Sequence, residues 1–246
     1  MAKLWSGLLS GLLDLIFPYP AGCQLCGRGR QKGICDECWA ALRCNNGERA
    51  CARCGRFFPR GIPYAYQRCL QCRRQGAPFL ACRAAGPYEG LFKEAVYKLK
   101  YQRRRSLASP MARLMWSVVK DDPLFQDIAA VVPVPISPGR LRERRFNQAG
   151  DLAREICNLA GWTYAPVVIK NRDTRPQTGL TRAERADNLR GAFTVTHPRK
   201  IRQKTVLVVD DVYTTGSTLK EMAGVLRSQG AEKILGLTFA AGRLET

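Results

Sequence analysis

Two adjacent acids, Asp210 and Asp211, stand between four apolar residues, Val206 to Val209, and the loop Thr214-Thr215-Gly216-Ser217-Thr218. The apolar run is short and mostly β-branched, the pattern of a strand buried on both faces of a parallel sheet. Leu219, Met222, Ala223, Val225 and Leu226 then recur at helical spacing until Gly230 supplies a stop. In an open α/β sheet, ligands bind beyond the carboxyl ends of the strands, which is where the two acids must lie. The loop's N–H groups and hydroxyls would surround a helix start, whose orphan donors and dipole hold a phosphate, and Gly216 lets the backbone approach closely. Acids beside a phosphate cradle suit a sugar phosphate, either accepting hydrogen bonds from ribose hydroxyls or holding hydrated Mg²⁺. Other phosphate sites fit poorly. The loop has no lysine for a GxxxxGK[ST] P-loop, and no GxGxxG dinucleotide fingerprint is present. Only 35 residues follow Asp211, too few to complete a phospho-receiver domain.

A second chemistry is carried by sulfur. Cys23/Cys26, Cys35/Cys38, Cys51/Cys54 and Cys69/Cys72 are four CxxC pairs, leaving only Cys44, Cys82 and Cys157 outside them. A two-residue spacer turns both thiolates of a pair toward one tetrahedral ion, so eight such thiols predict two four-cysteine zinc sites. Neighbouring pairs sharing a site is the simplest arrangement; crossed pairing and replacement of a ligand by Cys44 are the alternatives. The single histidine, His197, lies far from the pairs and reads as a loop residue. Cys157 falls on the apolar face of a helix and reads as core.

The elements that must position these groups change character near Pro78. Before it, cysteine, glycine, proline and arginine show little periodic pattern, as in a small domain whose core is replaced by metal. After it, strand and helix patterns alternate: a strand in FLACRAAGPY, helices over 91–99 and 106–119, a strand in AAVVPVP from Ala129, a helix over 147–159, a strand in APVVIK from Ala165, and strands in TVLVVDD and KILGLTFA. Such alternation predicts an α/β domain with a mainly parallel sheet. At the amino terminus a lysine, an apolar run and small residues before Cys23 faintly resemble a lipoprotein signal, but Asp14 interrupts the run. Trp5, Leu8, Leu9, Leu12, Leu13 and Ile16 instead predict an amphipathic helix. No stretch is long enough to span a bilayer, and thiols held by metal fit a reducing, cytoplasmic setting.

The stretch from Val206 to Thr218 resembles the phosphoribosyl diphosphate (PRPP) signature of type I phosphoribosyltransferases: apolar strand, two acids, an apolar pair, then TTGST. The resemblance implies that Asp210 and Asp211 contact the ribose and act in catalysis, and that Val212, Thr214, Thr215, Gly216, Ser217 and Thr218 belong to the PRPP site. The stretches VVPVPISPGRLRERRFNQA from Val131 and RDTRPQTGLTRAERADNLRGAF from Arg172, together with the CxxC pairs, are similar to the ComF family, which joins a zinc ribbon to a phosphoribosyltransferase-like domain and handles transforming DNA. The implied organisation is an amphipathic helix over 1–20, a double zinc ribbon over 21–78 and a PRPP-binding α/β domain over 79–246. One departure stands out. The family reads RGFNQ where this chain has Arg145 in the glycine position, which puts the turn there in question.

Basic side chains supply the remaining candidates. Forty Lys and Arg against 20 Asp and Glu give a formal charge of +20, and two zinc–tetrathiolate units would lower it to roughly +16. A phosphate-bearing partner is the expectation, against a merely soluble surface. The loop with Arg140, Arg142, Arg144 and Arg145 reads either as a site that meets a pyrophosphate, since arginine forks suit phosphate oxygens, or as a solvated basic loop, and the resemblance implies that Arg144, Asn147 and Gln148 belong to that site. The polar stretch 172–191, with Arg172, Arg185 and a helix from Thr181, reads either as a hood closing over ligand or as a surface excursion. Lys98, Lys100, Arg103, Arg104 and Arg105 beside Tyr97 and Tyr101 read either as a track for single-stranded DNA or as an exposed helix end. Arg56, Phe57, Phe58, Arg60, Tyr64 and Tyr66 form a second such surface, or simply pack the ribbon. The resemblance implies one of two functions: a DNA-uptake factor with zinc and Mg²⁺–PRPP as its ions and ligand, single-stranded DNA and a DNA-uptake helicase or other competence proteins as partners; or an active phosphoribosyltransferase acting on an unidentified base or amine.

Overall fold

The computed structural model describes residues 22–29, 33–43, 48–61, 67–173 and 182–244, with backbone alone at positions 182, 183, 185 and 186. The expected helix over 1–20, Cys44, Tyr64, Tyr66, residues 174–181 of the expected hood and the Arg185 side chain lie outside these residues.

Four strands form a parallel sheet in the order β1 (Ala81–Pro87), β6 (Lys233–Ala241), β5 (Thr205–Tyr213), β2 (Ala130–Pro133). Residues 206–209 are at most 1% exposed, which explains their unbroken apolar run: a parallel strand covered on both faces has no polar side. Leu207 and Val209 pack with α3 (Gly90–Tyr101), α4 (Ala108–Val119) and α6 (Gln148–Ala160) in one apolar cluster. Val206 and Val208 pack with α8 (Ser217–Ser228) in another.

Three expectations are corrected. The APVVIK stretch is not one strand of the parallel sheet. Tyr164 bridges Val131, Ala165 donates to the Val131 carbonyl at 2.8 Å, and the chain then leaves to form β3 (Val168–Lys170), paired antiparallel with β4 (Phe193–Val195) in a separate sheet, with α7 (Arg182–Leu189) between the two in the chain. Pro166 has no N–H to continue a ladder, and the burial of Val167 and Val168 in the second cluster keeps the sequence apolar across the break. The arginine-rich loop after β2 is helical: α5 (Pro138–Arg144) starts with proline at its first position, where the missing N–H costs nothing. Arg145 preserves the turn that ends α5, adopting φ +63° and donating its N–H to the Leu141 carbonyl at 2.8 Å. The left-handed conformation costs a non-glycine residue about 1 kcal/mol, so the glycine position has been refilled without being reshaped.

The cysteine-rich segment is fastened to the sheet at both ends. After the first pairs comes α1 (Asp36–Arg43), and after the last comes α2 (Leu70–Arg74). Phe57 donates to the Gly242 carbonyl at 3.2 Å, Leu244 donates to the Phe57 carbonyl at 2.8 Å, and Cys82 donates to the Arg53 carbonyl at 2.7 Å. Phe57 and Phe58 are both buried, so these aromatics pack the ribbon.

Candidate functional site

The last turns of β5 send the two acids apart. Asp210 lines a recess of about 30 Å³ with Val134, Thr238 and the loop from Tyr213 to Leu219. Asp211 is buried and faces the final turn of α3, where it forms an ion pair with Lys100, and its N–H donates to Asp210 Oδ1 at 2.9 Å. Burial pushes the Asp210 carboxyl well above the ordinary range, and the neighbouring Asp211 charge pushes it the same way. Burial opposes the charge on Asp211 as well, but the Lys100 ammonium, the hydrogen bond with Asp210 and the nearby Arg144 together hold that carboxyl low. Lys100 responds in kind: burial opposes its charge, and Asp211 more than restores it. The pair is therefore asymmetric, with Asp211 a neutralised anion and Asp210 the acid that a ligand in the recess meets.

The loop is shaped from beneath. Gly216, at φ +78°, starts α8 without a side-chain cap, leaving the first-turn donors to other partners. A Cβ at Gly216 would lie 2.0 Å from Tyr213 Oη, so close packing on tyrosine as well as backbone conformation requires glycine. Tyr213 is buried with its ring edge-on to Phe79, centroids 6.4 Å apart. Thr215 and Ser217 hydroxyls lie 3.0 Å from each other at the loop mouth.

Arg144, Asn147, Gln148 and Arg172, expected to meet a pyrophosphate or to form the hood, do not line the recess and hold the scaffold around it. Asn147 caps α6, accepting from Ala149 N–H at 3.1 Å while its amide donates to the Val134 carbonyl at 3.0 Å. Gln148 is buried and accepts from Arg144 Nη1 at 3.3 Å. Arg172 donates to the carbonyls of Asn188 and Arg190, each at 3.2 Å, tying the hood's two stems together. Asp173 accepts from Gly139 N–H at 3.3 Å, linking that stem to the start of α5. Lys170 was missed by the sequence reading. It is buried on β3 over the Phe193 ring at 5.8 Å, and burial, aided by Arg140 and opposed by Asp173, pushes its ammonium down to about 8, with Asp210 and Arg172 also in its field. A lysine closing an apolar strand, just before the polar excursion, was the available signal.

The basic run from Lys98 to Arg105 does not form one exposed strip. Lys100 points inward to Asp211. Lys98 pairs with Glu94 at 2.7 Å and donates to the Leu25 carbonyl, and Arg104 donates to the Gln24 carbonyl at 2.8 Å. Arg105 grips Asp151 at 2.7 and 2.9 Å, and Arg103 reaches the Glu143 carbonyl at 2.8 Å. Helical spacing accounts for this: α3 continues to Tyr101, two residues past the expected end, which carries Lys100 into the interior. Much of the charge fastens the first CxxC turn to the α/β domain.

Sulfurs of Cys23, Cys26, Cys35 and Cys38, and of Cys51, Cys54, Cys69 and Cys72, each cluster within 4.8 Å, so neighbouring pairs share a site and each quartet is complete without Cys44. Tetrahedral zinc with bonds of about 2.3 Å separates its sulfurs by roughly 3.8 Å, and the Cys26–Cys35 and Cys54–Cys69 separations are 3.7 and 3.9 Å. Backbone N–H groups of Cys35 and Cys69 point at Cys23 and Cys51 sulfurs, both at 3.3 Å, as stabilised thiolates require. Both quartets fit structural zinc. Cys82 and Cys157 are buried and belong to neither quartet.

Comparison with known proteins agrees with this geometry. Residues 12–73 match the double zinc ribbon domain and residues 146–244 the phosphoribosyl transferase domain. Competence protein F of Haemophilus influenzae is 28% identical over 212 residues, 83% of this chain and 88% of the relative. Competence protein ComFC of Streptococcus pneumoniae is 26% identical over 227 residues, 86% and 96% of the two chains. Over most of its length the chain is similar to the ComF family. Another relative, the DNA utilization protein YhgH of Escherichia coli, is 29% identical over 209 residues, covering 82% of this chain and 87% of its own. Among the described residues no helix is long and apolar enough to cross a membrane.

Proposed function

We propose that the protein is a DNA-uptake factor of natural transformation that binds Mg²⁺–PRPP, or a related ribose 5-phosphate ligand, and handles single-stranded DNA in the cytoplasm beside a DNA-uptake helicase or other competence proteins. The observation that carries the ligand half is the asymmetric acid pair at the hydroxyl-rich loop: Asp210 faces the recess, while Asp211 is occupied by Lys100. In this reading the 5′-phosphate takes the loop donors and the start of α8, and Asp210 accepts from ribose hydroxyls or faces the Mg²⁺. A bound cation or donor-rich sugar favours the ionised carboxylate, so binding drives a proton off Asp210. The names of the relatives, Competence protein F and DNA utilization protein, support the DNA half.

Calorimetric titration of Mg²⁺–PRPP into wild type and Asp210→Asn tests the ligand half. The variant is expected to lose affinity about tenfold or more, because a charge-assisted hydrogen bond becomes a neutral one. Absence of PRPP binding by folded, zinc-loaded wild type would sink the reading. Asp211→Asn is the poorer variant, since it strands a buried Lys100. Pyrophosphate released on adding a base or amine would extend binding to transfer, with the acceptor nitrogen bonding to the ribose carbon as the bond to pyrophosphate breaks.

A further inference from the structure

Lys98, Lys100, Arg104 and Arg105 of the basic run are committed to intramolecular contacts, which leaves its tyrosines and Arg103 as the exposed part of that surface. Tyr97 and Tyr101 are 53% and 59% exposed on α3, their rings 5.2 Å apart. The Arg144 guanidinium lies 5.2 Å from the Tyr101 centroid. Two exposed arginines, Arg103 at φ +54° and Arg145 at φ +63°, end α3 and α5 in the left-handed region, and Arg103 joins the two helix ends through the Glu143 carbonyl. Glycine would adopt both turns without strain. An arginine retained in such a conformation points to a use for its side chain.

We propose that Tyr97, Tyr101, Arg144, Arg103 and Arg145 form a stacking strip for single-stranded nucleic acid that runs beside the Lys100–Asp211 ion pair. Exposed aromatic faces take unstacked bases, while the arginines meet the phosphates and cover the rings. Duplex bases are already stacked and cannot use the rings. The strip abuts the acid pair because consecutive residues of α3 serve both: Tyr101 faces outward and Lys100 faces Asp211. This inference rests on the single-stranded DNA reading above and assigns its surface.

Fluorescence anisotropy with labelled oligothymidylate, and with a duplex of equal length, tests it on the full zinc-loaded chain. Tyr97→Ala/Tyr101→Ala is expected to weaken single-strand binding about tenfold or more. Arg103→Gly/Arg145→Gly is expected to weaken it and flatten its salt dependence, while the melting temperature stays level or rises because strain is removed. Lost affinity without lost stability is a signature that misfolding cannot imitate. Wild-type binding with both variants equally tight would overturn the strip and leave the DNA reading standing. No single-strand binding by wild type would overturn both, and duplex bound as tightly as single strand would overturn stacking.

Discussion

Asp210 and Asp211 are the same residue type one position apart, and the fold gives them opposite electrostatic fates through the two-residue period of a strand. Lys170 adds a third titrating group to the rim. Its ammonium is pushed from 10.5 to about 8, so the native state gives up a proton that the unfolded chain still holds. Stability therefore improves as pH rises from about 8 towards 10.5, while the charge available to an anionic ligand is lost over the same climb. Affinity for inorganic diphosphate or PRPP, measured by calorimetry across that range, is expected to fall several-fold as pH passes about 8, and Lys170→Met should abolish the step. An unchanged step in the variant would exclude Lys170 as its source. The acids and the loop could be read from sequence because their spacing is local. Lys170 could not, because its importance arises largely from burial and from Arg140 and Asp210, which lie far from it along the chain and meet it only in the fold.

Among elements, those whose burial is uniform along their length were readable. β5 and α8 follow from apolar runs and periodicity, and α6 from its amphipathic face and the Asn147 cap. Errors fell where tertiary context overrides a local pattern. APVVIK stays apolar while changing sheets at Pro166, and the α5 sequence looks like a charged loop because none of its residues is buried. The junction of the ribbon with β6 also escaped the sequence, since its backbone bonds through Phe57 are joined by ion pairs from one arginine far from the ribbon in the chain. Arg243 meets Glu48 at 2.7 Å and Glu89 at 2.7 Å, and its hydrogen bonds, prevailing over burial, hold the Glu48 carboxyl down at about 2. A depressed carboxylate stabilises fully above its ordinary value of 4.5 and loses that contribution as pH falls towards 2. Arg243→Met is expected to destabilise the protein by roughly 1–3 kcal/mol at neutral pH. Thermal unfolding followed down the pH scale should show the two proteins converging through that acid window. A constant gap would mean that packing, and not the ion pairs, makes the junction.

For the molecule as a whole, the two Cys₄ sites sit behind different parts of the candidate surface. Cys51, Cys54, Cys69 and Cys72 share an apolar cluster with Phe79, Tyr213 and Leu219, which lie at the base of the loop proposed to take the phosphate. Cys23 and Cys38 share the other cluster with Phe92, Val96 and Leu99 of α3, and the first CxxC turn is tied to that helix through Lys98 and Arg104. Because metal binding by such sites is folding free energy, losing one ion should disturb what that ion supports. Cys51→Ser/Cys54→Ser is expected to weaken PRPP binding more than single-strand binding, by releasing Tyr213 from beneath Gly216. Cys23→Ser/Cys26→Ser should do the reverse, by loosening the end of α3 that carries Tyr97 and Tyr101. Calorimetry with PRPP and anisotropy with oligothymidylate on both variants, with bound zinc counted in each, separate the two cases. Equal losses of both ligands in both variants would show that the ribbon acts as one unit. Crossed losses would show that each ion underpins its own half of the surface, so that zinc content alone sets which ligand the protein can hold.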